Sequence, residues 1–185
     1  MINITHQMIC ETHPDVMMDD CHIDLIKSLA CAAKPRKALE IGIGTGAVTK
    51  ALVDSFILNG IDLDLTCVDN FGDWHFNQPK GFENMPPGIQ FVQSHERDFV
   101  EGCLEEFDFI VSDGDHAHAG EWFSDTYRIV SYGGILIYHD ATSIHCPSIS
   151  GIIATLSAWN ARYFVFNRNS HPWERCERGL LVIQK

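Results

Sequence analysis

The sequence predicts a single α/β domain over residues 1–185, with a seven-stranded, mostly parallel sheet, helices on both faces and an antiparallel C-terminal hairpin. Three observations carry this expectation. Short apolar runs alternate with stretches of helical apolar spacing five times over, the pattern of β-α units joined by right-handed crossovers. The run Phe107 to Ser112 is almost wholly apolar, as a strand covered on both faces should be. Two closing runs, Arg162 to Asn167 and Gly179 to Gln184, are joined by the polar link RNSHPWERCER.

Residues 1–17 hold His6, His13 and Pro14 without a strong period and read as an arm or lid. From an N-cap at Asp19 or Asp20, the residues Cys21, Ile23, Leu25, Ile26, Leu29, Ala30 and Ala33 give a helical apolar face that Pro35 ends. Next comes KALEIGIGTGA, Lys37 to Ala47, a strand that passes through Glu40 into Gly42, Gly44 and Gly46. Glycine permits the sharp turn and a close backbone approach, and the helix that follows, Ala47 to Leu58, aims free N–H groups at the turn. Asn59-Gly60 closes that helix.

Strand two, Leu63 to Val68, ends in Asp69-Asn70, and the stretch from Phe71 to Gly88 reads as a loop or short broken helix. Strand three, Ile89 to Gln93, ends in Ser94-His95-Glu96; strand four ends in Asp113-Gly114-Asp115-His116. A helix is expected from about Gly120 to Val130, after which Gly133-Gly134 turns into strand five, Ile135 to Tyr138, ending in His139-Asp140. Ile149 to Trp159 forms the last helix. Every polar cluster falls at the carboxyl end of a strand, where ligands bind in such sheets. The clusters therefore belong to one site.

Composition narrows the partners. The formal net charge of −12 disfavours nucleic acid and anionic membranes and favours a small-molecule substrate. Seven dispersed cysteines with no CxxC pair indicate reduced thiols. The N-terminal residues lack a basic segment followed by an apolar core, so a cytoplasmic location is expected.

Strand-by-strand, the ExGxGxG turn and the acid ending strand two resemble the class I S-adenosylmethionine-dependent methyltransferases, from about Asp19 to Lys185. The resemblance implies a single Rossmann-like methyltransferase domain. It places the methionine end of S-adenosylmethionine on Gly42, Gly44, Thr45 and Gly46, with Glu40 beside them. Asp69 and Asn70 would meet the ribose, and Ser94, His95 and Glu96 the adenine.

FDFIVSDGDHAHAGEW followed by YGGILIYHDAT is similar to the family 24-like group with DxDH and HD at these strand ends. It is more distantly similar to the cation-dependent O-methyltransferases of the catechol and caffeoyl-coenzyme A type. That likeness implies Asp113, His139 and Asp140 as ligands of a divalent cation, Asp113 touching cofactor as well, and His116 as the catalytic base. Histidine has an unperturbed pKa of about 6.5, suited to a base at neutral pH. An imidazole ligand shifts the cation from magnesium toward manganese, iron or zinc.

Blander readings stand beside these. Asp113 also fits a helix cap, His139-Asp140 a structural pair, and His118 competes with His116. Trp74, His75, His171, Pro172 and Trp173 suit either an acceptor pocket or a homodimer interface. The leading expectation is metal-assisted O-methylation of a sugar or phenol-like hydroxyl. The alternatives are an NAD(P)-dependent oxidoreductase, since Gly42, Gly44 and Ala47 also satisfy GxGxx(G/A), and a non-catalytic cofactor-binding module.

Overall fold

The computed structural model describes residues 18–44, 46–70, 87–142, 146–167 and 178–185. Helix α1 spans Asp20–Ala33, β1 Ala38–Ile41, α2 Ala47–Asn59, β2 Leu65–Asp69 and β3 Ile89–Gln93. These are followed by α3 Glu96–Gly102, β4 Phe107–Ser112, α4 Phe123–Arg128, β5 Val130–His139, α5 Pro147–Ala158, β6 Arg162–Phe166 and β7 Leu180–Gln184. The sheet order is β3-β2-β1-β4-β5-β7-β6. The first five strands run parallel, and β7 lies antiparallel between β5 and β6. The expected architecture is present, with the closing pair arranged so that β6 is the sheet edge.

Period-two alternation divides the buried residues between two layers. Ala38, Cys67, Phe109, Val111 and Ile137 pack toward Ile26 and Ala30 of α1 and Val48, Leu52 and Phe56 of α2. Leu39, Ile41, Val68, Ile110, Leu136 and Tyr138 pack with Val100 of α3, Phe123 of α4 and Ile149, Ile152 and Leu156 of α5. The same alternation decides where the strand-end residues point. Asp113 follows Val111 by two and His139 follows Ile137 by two, so both belong to the α1 side.

Three local readings need correction. The helix expected from Gly120 to Val130 is confined to Phe123–Arg128, after a run of turns, because Val130 already pairs with Phe107 as the first residue of β5. Gly133-Gly134 sits inside β5 rather than before it. The register with β4 jumps between Phe107 and Phe109, and the extra β5 residues bulge there, with Gly133 at φ 80°. Helix α3 has no counterpart in the sequence reading; it starts where Ser94-His95-Glu96 reads as a strand-end turn. Among the described residues no helix is long and apolar enough to cross a membrane. The expected arm at 1–17, the loop aromatics Trp74 and His75, and His171, Pro172 and Trp173 lie outside the described residues.

The glycine turn approaches the turn after β4 backbone to backbone at Gly42. Gly42 has φ 80°, and a Cβ on it would lie 2.3 Å from the Asp113 carbonyl oxygen and 2.7 Å from the Gly114 nitrogen. Gly44 has φ 50° but open space where its Cβ would be. Gly42→Ala is therefore expected to cost about 2–4 kcal/mol, strain and clash together, against about 1 kcal/mol for Gly44→Ala, strain alone. Urea denaturation of the two variants checks this; equal losses would refute the contact.

Candidate functional site

The carboxyl ends of β1, β2, β3 and β4 border an open cleft of about 200 Å³. Gly42, Asp69, Asn70, Ser94, His95 and Glu96 line it, together with Ile41, Val68, Gly114 and Asp115. Gly46, at φ 79°, is the N-cap of α2, and its carbonyl accepts from the Lys50 N–H at 2.9 Å. Thr45 lies outside the described residues.

Asp69 does more than border the cleft. Its Oδ2 accepts hydrogen bonds from the backbone N–H of Ile43 at 2.8 Å and of Gly44 at 3.5 Å, so β2 holds the turn that leaves β1. Glu96 is likewise structural. Its carboxylate accepts from Ser112 Oγ at 3.0 Å and from the Asp115 N–H at 3.0 Å, which ties α3 to the turn after β4. Gly114 makes room, since a Cβ there would lie 2.6 Å from Glu96 Oε2. His95 caps α3, its Nδ1 accepting from the Arg97 N–H at 3.2 Å, and its ring meets Trp122 edge-on.

Glu40 is not on the cleft wall. It is wholly buried beneath the turn, where Thr49 Oγ1 donates to Oε2 at 2.6 Å and Cys67 Sγ approaches the same oxygen at 3.4 Å. Burial raises its pKa to about 8, against the Thr49 and Cys67 hydrogen bonds. Oε1 has no hydrogen-bond partner among the described residues.

Across Gly42 from this cleft, the ends of β4 and β5 bring Asp113, His116, His139 and Asp140 together. His139 Nδ1 is 2.8 Å from Asp113 Oδ1, and His116 Nε2 is 3.3 Å from the same oxygen and 3.5 Å from Asp140 Oδ2. Asp140 Oδ1 lies 3.6 Å from His139 Nδ1 and 4.0 Å from Arg178 Nε. Asp140 itself sits at φ 57°, a left-handed conformation rare outside glycine and short polar residues.

Electrostatics couples these groups. Burial works against charge on Asp113, but His139 and His116 outweigh it and hold the carboxyl far below its ordinary range. Burial lowers the pKa of His116, yet Asp113 and Asp140 raise it to about 9. His139 is also raised, Asp113 overcoming burial. An unperturbed histidine base is thus not what the cluster contains: without a cation, His116 carries a proton at neutral pH. Its rival, the exposed His118, pairs instead with Asp115 at 2.9 Å and stacks on Trp122.

His22 is the residue that sequence reasoning passed over. It is fully buried on the stripe His22, Ile26, Ala30 of α1, with its ring 5.3 Å from that of His139 and 5.8 Å from Phe166. The i, i+4, i+8 spacing was the available signal: a histidine on the apolar face of a helix that packs on strand ends.

A family model described as a methyltransferase domain matches residues 39–141, more than half of the chain and all of these strand ends. The protein belongs to this family. Solved structures agree with the fold of this methyltransferase. An O-methyltransferase from Bacillus cereus in complex with S-adenosylhomocysteine superposes with TM-score 0.71 at 14% identity, over 95% of this chain and 86% of that one. The O-methyltransferase TomG from Streptomyces achromogenes, in complex with S-adenosylmethionine, gives 0.67 at 15% identity over 97% and 87%. A Podospora anserina methyltransferase bound to S-adenosylhomocysteine gives 0.66 at 14% over 96% and 85%. No curated protein matches the methyltransferase in sequence. Its fold is that of these S-adenosylmethionine- and S-adenosylhomocysteine-bound methyltransferases.

Two measurements follow from the titrating groups. Glu40 keeps its proton in the folded state up to about pH 8, whereas the unfolded chain releases it near 4.5, so rising pH between these values favours unfolding. The stability difference, wild type minus Glu40→Gln, is expected to fall between pH 5 and pH 8 by at most about 1.4 kcal/mol per unit; parallel urea curves at the two pH values would exclude it. His116, raised rather than lowered, stabilises the cation-free protein below about pH 6.5, and this is lost as pH rises through about 9. Its imidazole resonances in chelator-treated protein should titrate near that upper value, and a midpoint below 7 would contradict the Asp113 and Asp140 pairing.

Proposed function

We propose that the protein transfers the methyl group of S-adenosylmethionine to a hydroxyl of a small molecule, a sugar or phenol-like acceptor, with help from a divalent cation. One observation carries the reading: the cleft lined by Gly42, Asp69 and the Ser94–Glu96 turn shares the Gly42–Asp113 backbone contact with the four-residue polar cluster. The donor site and the proton-handling site are thereby held side by side. The O-methyltransferase structures of the same fold, which hold S-adenosylmethionine or S-adenosylhomocysteine, support the choice of cofactor.

In this reading the turn after β1, with the N-terminus of α2 behind it, takes the methionine end of the donor. Asp69 keeps the turn in shape through Ile43 and Gly44 and faces the ribose, while Asn70, Ser94 and His95 border the adenine. The sulfonium carbon is already electrophilic, so the protein has two tasks: alignment of an acceptor oxygen and removal of its proton. The oxygen–carbon bond forms as the carbon–sulfur bond breaks, the sulfur keeps its electron pair, and the hydroxyl proton passes to the cluster.

The donor set suits a cation. Asp113 and His139 supply two ligands, and the pair His116–Asp140 supplies the third, its other member remaining to accept the proton. A divalent ion bound here would lower the pKa of a nearby hydroxyl and offset the carboxylates that otherwise keep His116 protonated.

Calorimetry with S-adenosylhomocysteine is expected to show one site, weakened about 10–100-fold in Asp69→Ala, which loses the loop contacts and the ribose-facing carboxylate. Mass spectrometry of a phenol, catechol and sugar panel should then show a single added methyl. Binding of NADH in place of S-adenosylhomocysteine would overturn the proposal in favour of an oxidoreductase. Binding without turnover on any acceptor would favour a non-catalytic module.

A further inference from the structure

We infer that Asp113, His116 and His139 form a site for a divalent first-row transition metal, zinc being the reference ion, with Asp140 outside the ligand set. The inference deepens the proposed cation-assisted reaction and rests on that reading for the ion's purpose, though not for its binding.

Among the described residues, Asp113, His116 and His139 form the one group whose potential ligand atoms all lie within 4.8 Å of one another. The Asp113 Oδ1 distances of 2.8 Å to His139 Nδ1 and 3.3 Å to His116 Nε2 are near the roughly 3.4 Å between neighbouring ligands around a tetrahedral zinc with bonds of about 2.1 Å. Asp140 divides its oxygens, Oδ2 toward His116 and Oδ1 toward His139, so neither lies with all three ligand atoms.

Chemistry favours the same assignment. Two imidazole nitrogens and one carboxylate oxygen make a borderline donor set of the kind used by zinc, iron(II) and manganese, whereas magnesium and calcium prefer oxygen throughout. The framework is rigid. Asp113 and His139 extend neighbouring parallel strands paired at Ser112 and Tyr138, and the Asp113 N–H donates to the Ile41 carbonyl at 2.8 Å. His139 is 98% removed from solvent with the His22 ring against it, which limits its reorientation. Asp140 then acts on the acceptor's proton rather than on the ion.

The test is calorimetry of the chelator-stripped full chain with zinc, manganese and magnesium ions, with metal analysis after dialysis. One equivalent of zinc is expected, with magnesium not retained. His116→Gln and His139→Gln should weaken zinc by about 1,000-fold or more, and Asp140→Asn by no more than about tenfold. Cobalt(II) should give the intense visible bands of a low-coordinate nitrogen–oxygen site. Magnesium bound as tightly as zinc would overturn the inference, as would no retained ion, or an Asp140→Asn loss as large as that of His116→Gln. S-adenosylhomocysteine binding by the same variants reports whether each is folded. An ion bound without S-adenosylhomocysteine would defeat the methyltransfer proposal alone; S-adenosylhomocysteine bound without an ion would defeat this one alone.

Discussion

The close approach of Gly42 to the Asp113–Gly114 peptide is the constraint on which the site depends. The turn after β1 and the turn after β4 meet backbone to backbone, with no side chain between them. Each turn is then secured from its outer side. Asp69 holds the first through two N–H groups, and Glu96 holds the second through Ser112 and Asp115. A carboxylate from another β-α unit thus fixes each loop, and the two loops fix each other. Neither acid needs to touch a substrate for its loss to disturb one.

The pleat of the sheet gives this arrangement two distinct chemical sides. Ser112 and Glu96 lie with the α3–α5 layer, where the carboxyl group is buried and hydrogen-bonded. Asp113 and His139 follow one residue later in the chain, on the α1 side, with the His22 ring against His139. Ser112, which donates to the Glu96 carboxylate on one side, and Asp113, whose carboxylate lies between two imidazoles on the other, are adjacent in the chain. Burial raises Glu96, whereas the histidines overcome burial to lower Asp113. The two imidazoles beside Asp113 have no counterpart at Glu96, whose partners are a hydroxyl and a backbone N–H.

Much of this was legible in the chain. Alternating apolar runs indicated the parallel part of the sheet, though not its strand order, and the polar residues at strand ends pointed to one site, because ligands in such sheets bind at the carboxyl ends of the strands. The residues at Gly42, Asp69, Ser94 and His95 do line the cleft. What sequence patterns did not reveal were relations between distant segments: Glu96 as a brace rather than a cleft-surface group alone, Glu40 beneath the turn, and His22 behind His139. Helix α3 was missed because its seven residues offer too short a period. The β5 bulge was missed because paired glycines read equally well as a turn.

Asp140 carries a consequence for how this site can vary. Its left-handed backbone tolerates asparagine or glycine far better than longer or branched residues. Asparagine would keep the shape and lose the charge; glutamate would keep the charge but strain the main chain. Backbone and electrostatic demands therefore select different substitutes, and aspartate alone meets both. The chemical repertoire at the end of β5 is narrowed by chain geometry before any acceptor molecule is considered.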